Sequence, residues 1–142
     1  MYYRKIVLLL AVLLTSLFLF INRTELSFDS VTVGVSVTNL DEATTWYKKI
    51  IGDKSVMQPI PTINEIEVVK EFWLQLIEVS NVKPGDSILR FGVTDLEIER
   101  IRLATIGIDI GEITRVEGVI AFCDFSDPYG NKLSIYQVLL EN

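Results

Sequence analysis

Two segments of this 142-residue chain, "VTVGVSVTNLDEATTWYKKIIG" from Val31 to Gly52 and "SILRFGVTDLEIERIRLATIG" from Ser87 to Gly107, follow one pattern. Each opens on an alternating apolar stretch, passes through Val37-Thr38-Asn39-Leu40 or Val93-Thr94-Asp95-Leu96, continues with helical periodicity and stops at a glycine. The matching valines, Val37 and Val93, lie 56 positions apart. A repeat of that length marks a duplicated supersecondary unit, two copies of which bury one core together.

Local chemistry supports each element. Asn39 and Asp95 suit the N-cap, and the acids after them, Asp41 and Glu42 or Glu97 and Glu99, suit the positive end of a helix. Ala43, Trp46, Tyr47 and Ile50 recur at helical spacing in the first half, and Ile98, Ile101, Leu103 and Ile106 do so less regularly in the second. Gly52 and Gly107 are natural stops. Strand-like runs follow each helix: "KSVMQPI", "EIEVV" and "FWLQLIEV", then "IDIGEITRV", "GVIAFCDF" and "NKLSIYQVL". The sequence therefore predicts an α+β domain of two βαβββ modules, residues 31–80 and 87–139, within a domain 31–142. Glu65, Glu67 and Glu71 read as the solvated edge of a sheet, while Glu78 fits either core or rim.

The stretch "FSDPYGNKLSIYQVL" joins a turn directly to the last strand. Pro128 presets one corner, Gly130 accepts a positive φ, and Asp127 and Asn131 bond the local backbone, so the turn sets the register of that strand. Paired βαβββ modules with "VTNL" closing the first strand, Trp46-Tyr47 in the first helix and F-x-D-P-x-G-N before the last strand resemble the vicinal oxygen chelate superfamily of glyoxalases, bleomycin-resistance proteins and extradiol dioxygenases. That resemblance covers roughly residues 31–139 and implies a glyoxalase-like, half-open barrel around a cavity.

It also implies up to four inward-facing side chains for a divalent metal, and these positions fall on Thr32, Gln75, Ile88 and Ser134. The set contains neither carboxylate nor imidazole, and Ile88 has no donor atom, so no metal and no cofactor are expected. Strand alternation extends the same faces to a lining of Thr32, Ser36, Trp73, Gln75, Ile88, Arg90, Lys132, Ser134 and Tyr136. The opposite faces, with Val33, Val35, Val37, Leu74, Leu76, Leu89, Phe91, Val93, Leu133 and Ile135, are almost wholly apolar and belong under the helices. Aromatic walls with a few polar groups suit a small organic guest, anionic if Arg90 and Lys132 select it, planar if Trp73 and Tyr136 do. Snorkelling of the two cations toward surface acids is the commoner fate of such residues.

Hydrophobic residues make up 49% of the chain, and the excess sits at the front, where residues 6–21 read "IVLLLAVLLTSLFLFI". At about 1.5 Å per residue this run spans roughly 24 to 27 Å, near the hydrocarbon thickness. It ends in bulky residues rather than a small-x-small cleavage site, so residues 1–22 read as an uncleaved signal anchor and 23–30 as a linker. Arg4 and Lys5 precede the run, which predicts a single-pass protein with its domain on the non-cytoplasmic side.

Without residues 1–22 the chain holds 11 basic and 19 acidic residues, a net charge of −8 that disfavours nucleic acid as a partner. The single cysteine, Cys123, forms no intrachain disulfide and reads as a packed thiol. There is no histidine, which excludes Ser-His-Asp and Cys-His chemistry. A metal ligand borrowed across a homodimer would have to be an acid. The expectation is a membrane-anchored glyoxalase-like domain that binds a small organic ligand or a partner without metal catalysis. The alternatives are a lyase, isomerase or dioxygenase-related enzyme with an atypical site, and a purely structural envelope domain.

Overall fold

The computed structural model describes residues 29–139. The expected anchor over residues 6–21 lies outside them, and among the described residues no helix is long and apolar enough to cross a membrane. The first module runs β1 (Val31–Val37), α1 (Leu40–Ile51), β2 (Val56–Ile60), β3 (Ile63–Val69) and β4 (Phe72–Glu78). The second runs β5 (Ile88–Gly92), α2 (Leu96–Thr105), β6 (Thr114–Val116), β7 (Ile120–Ser126) and β8 (Lys132–Val138). Both modules are βαβββ.

Each module folds into a four-stranded mixed sheet, ordered β1-β4-β3-β2 and β5-β8-β7-β6. The first and last strands of a module pair in parallel, Thr32 beside Trp73 and Ile88 beside Lys132. The helical crossover makes this possible, because parallel neighbours cannot be joined by a tight hairpin. It leaves β1 and β5 each with one free edge.

The duplicated tetrapeptides are helix caps. Asn39 Oδ1 accepts the Glu42 N–H at 3.1 Å and Asp95 Oδ1 the Ile98 N–H at 3.0 Å, contacts typically worth about 1 kcal/mol each. The last strand of each module adds a second cap: Glu78 Oε1 accepts the Leu40 N–H at 3.2 Å, and Gln137 Oε1 accepts the Leu96 N–H at 3.1 Å. Glu78 therefore lies at the helix end of its sheet. Gly107, at φ 87°, closes α2 in a Schellman turn, its N–H on Ala104 O and the Ile108 N–H on Leu103 O.

One face of each sheet packs against the helices. Val35, Val37, Leu74, Leu76 and Ile66 from the first sheet and Ala121, Cys123, Phe125, Leu133 and Ile135 from the second are buried with Leu40, Ala43, Tyr47 and Ile50 of α1 and Leu96 and Leu103 of α2. All belong to a single cluster, so the modules share one core.

Three expectations need correction. Ile98 and Ile101 are 66% and 64% exposed, because Leu96 and Leu103, seven residues apart, define the buried face of α2 and the two isoleucines fall outside it. "IDIGEI" forms no strand: Ile108 and Ile110 are buried, but the segment touches β7 through one backbone bond, Gly111 N–H to Asp124 O at 2.9 Å, and only Thr114–Val116 joins the ladder. Strand β3 is interior rather than an edge, with β2 outside it. Glu65 and Glu67 are half-buried on the face away from the helices, and Glu71 sits past the strand in the β3–β4 turn with φ 63°.

Candidate functional site

The face away from the helices carries the expected lining, in rows set by the strand register. In the first module Thr32, Trp73 and Glu67 form one row, and Gly34, Gln75, Glu65 and Met57 the next. In the second, Ile88, Lys132 and Ser126 form one row, Arg90, Ser134 and Asp124 the next, then Gly92, Tyr136, Phe122 and Thr114. Ser36, Trp73, Gln75 and Tyr136 are half-buried, Ser134 is fully buried, and Thr32, Ile88, Arg90 and Lys132 are exposed. Tyr136 lies across Gly92: a methyl group there would come within 3.2 Å of its hydroxyl.

The free edges of β1 and β5 flank a seam. At its β5 start is an open groove of about 400 Å³, lined by Gly34, Ser36, Lys83, Ile88 and Lys132 among others. Sequence reasoning missed the contribution of the 83–87 loop, since nothing local ties that loop to β1.

The charges on this face are largely spoken for. Arg90 Nη1 donates to Ser134 Oγ at 3.1 Å and lies 3.8 Å from Asp124 Oδ1, with its guanidinium 5.1 Å from the Phe122 ring centre. Lys132 Nζ bonds Asp86 Oδ1 at 2.9 Å, and that lysine holds the Asp86 carboxyl below its ordinary pKa. In the first module the Gln75 amide donates to Glu65, and Glu67 accepts the Glu71 N–H at 2.9 Å. Neither Glu65 nor Glu67 has an ion-pair partner among the described residues. Trp73 shares their face, directly beside Glu67.

The four positions where the resemblance would place a metal do not fit one. Ile88 offers no donor, the Gln75 amide is engaged by Glu65, and Ser134 Oγ donates to Cys123 O at 3.0 Å while accepting from Arg90. Among the described residues no cluster of three or more Cys, Asp or Glu could replace them. Only the neutral oxygens of Thr32 and of the Gln75 amide are left free, too few donors and too little charge for a divalent ion.

The turn before β8 does more than set a register. Asp127, 5% exposed, takes the N–H groups of Tyr129 and Asn131 on Oδ1 at 2.9 and 2.8 Å, and Tyr47 Oη and Asn131 Nδ2 on Oδ2 at 2.9 and 2.7 Å. Tyr129 Oη donates to Asn39 O at 3.0 Å and Asn131 Nδ2 to Ser36 O at 2.9 Å. Arg102 of α2 adds a second latch, donating to Lys49 O at 3.1 Å and Ile50 O at 2.7 Å at the C-terminal end of α1. The seam is thus held rigid from the helix side.

Two buried acids of low polarity set an alkaline limit. Burial raises the Cys123 thiol pKa, and burial together with Asp127 raises that of the Tyr47 hydroxyl. A folded-state pKa above the unfolded one gives stability that is complete below the unfolded value and lost as pH rises past it. Stability is therefore expected to decline above about pH 8.5, with Cys123 inert to a thiol reagent until the domain unfolds. Modification of the native protein at a free-thiol rate would contradict this.

No protein-family model matches the sequence, and no curated protein does. Solved structures do match in fold. An antibiotic-binding protein from Streptomyces sp. CB03234 superposes with a TM-score of 0.66 at 19% identity, covering 82% of this chain and 99% of its own. Lactoylglutathione lyase from Agrobacterium tumefaciens gives 0.64 at 14% identity, over 78% and 95%. A fosfomycin resistance protein from Listeria monocytogenes gives 0.65 at 14%, over 79% and 94%. Two mixed four-stranded sheets with this connectivity, and these likenesses, identify residues 29–139 as a glyoxalase-like fold.

Proposed function

We propose that this chain is a member of the vicinal oxygen chelate superfamily that binds a small organic molecule along the seam between its modules, without metal catalysis. It is tethered by residues 6–21, with the domain on the non-cytoplasmic side of a membrane. The observation that carries the reading is the state of the four metal positions: Ile88 has no donor atom, Ser134 Oγ is held between Arg90 and Cys123 O, and only the neutral oxygens of Thr32 and Gln75 remain, while the groove beside Ile88 stays open. Apolar walls from Val33, Ile88 and Leu89 with the polar groups of Ser36, Lys83 and Asn131 around an open groove are the chemistry of ligand recognition. The antibiotic-binding neighbour from Streptomyces sp. CB03234 supports a binding role for this scaffold.

The test is a thermal-shift series on the full-length protein in lipid nanodiscs against small aromatic and carboxylate compounds. A ligand of the folded state raises the midpoint as its concentration passes the dissociation constant. Ile88→Trp or Lys132→Ala, at positions that line the groove, should remove the shift; a panel that leaves the midpoint unmoved, or shifts indifferent to both variants, counts against the reading. A glyoxalase-type enzyme is the competing reading, favoured by the half-buried Glu65 carboxylate beside Gln75, the best-placed base on the open face. Turnover abolished by Glu65→Gln would establish it instead.

A further inference from the structure

The groove at the β5 start is built from strand edges rather than from a sheet face. Its β1 wall is a run of consecutive residues, Val33 to Ser36, although Val33 and Val35 face the helices and Gly34 and Ser36 the open side. Only the edge of a strand shows both. Ile88 and Leu89 do the same for β5 on the other wall. The ladders then fix which backbone groups lie at these edges, because in a parallel pair one residue sends both its N–H and its C=O to the partner strand and the next sends both away. Val31 donates its N–H to Glu71 O and Val37 O accepts the Val79 N–H, so the N–H and C=O of Gly34 and Ser36 point away from β4. Val93 donates to Tyr136 O, so those of Ile88 and Arg90 point away from β8. Among the described residues no backbone hydrogen bond joins β1 to β5, and of these outward groups Ser36 O alone is taken, by Asn131 Nδ2.

Unpaired edges attract other chains, and this domain shields the two at the outer ends of its sheets. Strand β2, outermost in the first sheet, carries Pro59, and β6, outermost in the second, is three residues long. Strand β1 has neither device: it is seven residues long, without proline or charge, and β5 also lacks proline. The unshielded edges are therefore the two that line the groove. At about 3.3 Å per residue, Val33 to Ser36 spans roughly 10 Å, room for three or four residues of one extended chain. The groove's charge is also opposite to that of the domain. Lys83 and Lys132 line it and no acid does, in a chain with 11 basic and 19 acidic residues beyond position 22. Lys132 bonds Asp86, and Lys83 has no ion pair among the described residues.

We propose that the groove binds a short acidic peptide in extended conformation, added as a strand to the edges that line it, with apolar side chains toward Val33 and Leu89 and acids toward Lys83 and Lys132. This rests on the reading of the same groove as the ligand site and names the ligand class. The probe is acetyl-Val-Glu-Val-Glu-Val-amide, titrated into ¹⁵N-labelled full-length protein in nanodiscs. The expected result is a saturable shift of the Gly34, Ser36 and Ile88 amide signals, with slowed hydrogen exchange at Gly34 and Ile88. The fully N-methylated peptide should lose binding, and the counterpart with lysine in place of glutamate should bind about tenfold more weakly, since attraction to the two lysines becomes repulsion. Ile88→Pro removes one outward N–H at the first residue of a strand, where proline is tolerated, and should weaken the peptide about tenfold, whereas Ile88→Ala keeps that donor and should weaken it less. Lys83→Glu, in the exposed loop, should also weaken it about tenfold without touching a strand. Equal affinity for the N-methylated or the lysine peptide, indifference to Ile88→Pro and Lys83→Glu, or no shift at those amides would overturn the proposal. Protection of the same amides that grows with protein concentration and needs no peptide would assign the edges to a second copy and also overturn it. If a compound of the thermal-shift series moves the Ser36 and Ile88 amides while the peptide does not, the peptide is rejected and the groove stands as a ligand site; if neither moves them, both readings fall.

Discussion

Replacing Asp127 with alanine is expected to destabilise the domain by about 4 kcal/mol, a fall of roughly 20 °C in thermal midpoint for a domain of this size. The carboxylate is nearly inaccessible and accepts four hydrogen bonds, from the backbone of Tyr129 and Asn131 and from the side chains of Tyr47 and Asn131. Its loss leaves the fully buried Tyr47 hydroxyl without a partner and releases the turn that leads into β8. Tyr47→Phe removes only one of the four bonds and should cost about 2 kcal/mol. The two variants therefore separate the turn from the latch: if both cost the same small amount, the turn is not what joins the modules. Midpoints from urea and heat on the full-length protein would report the difference.

The second large effect belongs to the shared core. Leu133→Ala, at a fully buried position in the interior strand β8 of the second sheet, is expected to cost about 2 to 5 kcal/mol, and Leu74→Ala, also fully buried in the first sheet, a similar amount. More informative than either size is the shape of the transition. Because one cluster runs through both modules and the Asp127 and Arg102 contacts span them, each variant should lower a single cooperative transition of the whole domain. Two separate transitions in Leu133→Ala, one at the wild-type midpoint, would mean that the first module holds itself together.

What can be read locally in the chain is present in the structure. Alternation with period two placed Val35, Leu74, Leu133 and Ile135 under the helices and Trp73, Gln75, Ser134 and Tyr136 on the other face, because neighbouring strand residues have no choice of side. Asn39 and Asp95 were legible as caps since a cap acts within three residues. Contacts across the chain were not legible. Glu65 and Glu67 read as an edge because alternating acids discourage pairing, yet strand order put β2 outside them and turned them toward Trp73. Lys132 finds Asp86 and Arg90 finds Asp124 across 46 and 34 residues, so no spacing rule could reveal that these cations have partners. The helical contribution of Ile98 and Ile101 was misjudged for a related reason: periodicity shows that a face is apolar, but only the partner element decides whether it is covered.

The metal positions show both sides of this. Thr32, Gln75, Ile88 and Ser134 were legible as poor ligands from residue type alone, whereas the engagement of Ser134 by Arg90 and Cys123 O, and of the Gln75 amide nitrogen by Glu65, required the fold. The central claim, recognition of an organic ligand by a glyoxalase-like domain that uses no metal, is tested most directly by titrating the full-length protein with Mn²⁺, Zn²⁺, Ni²⁺ and Fe²⁺ while following the thermal midpoint. An ion present at a hundred times its dissociation constant would add about 2.7 kcal/mol to stability, an unmistakable shift. The account predicts no such rise with any of the four. A midpoint that climbs with metal concentration in the wild type but not in Gln75→Ala would contradict it and return the protein to metal-dependent chemistry.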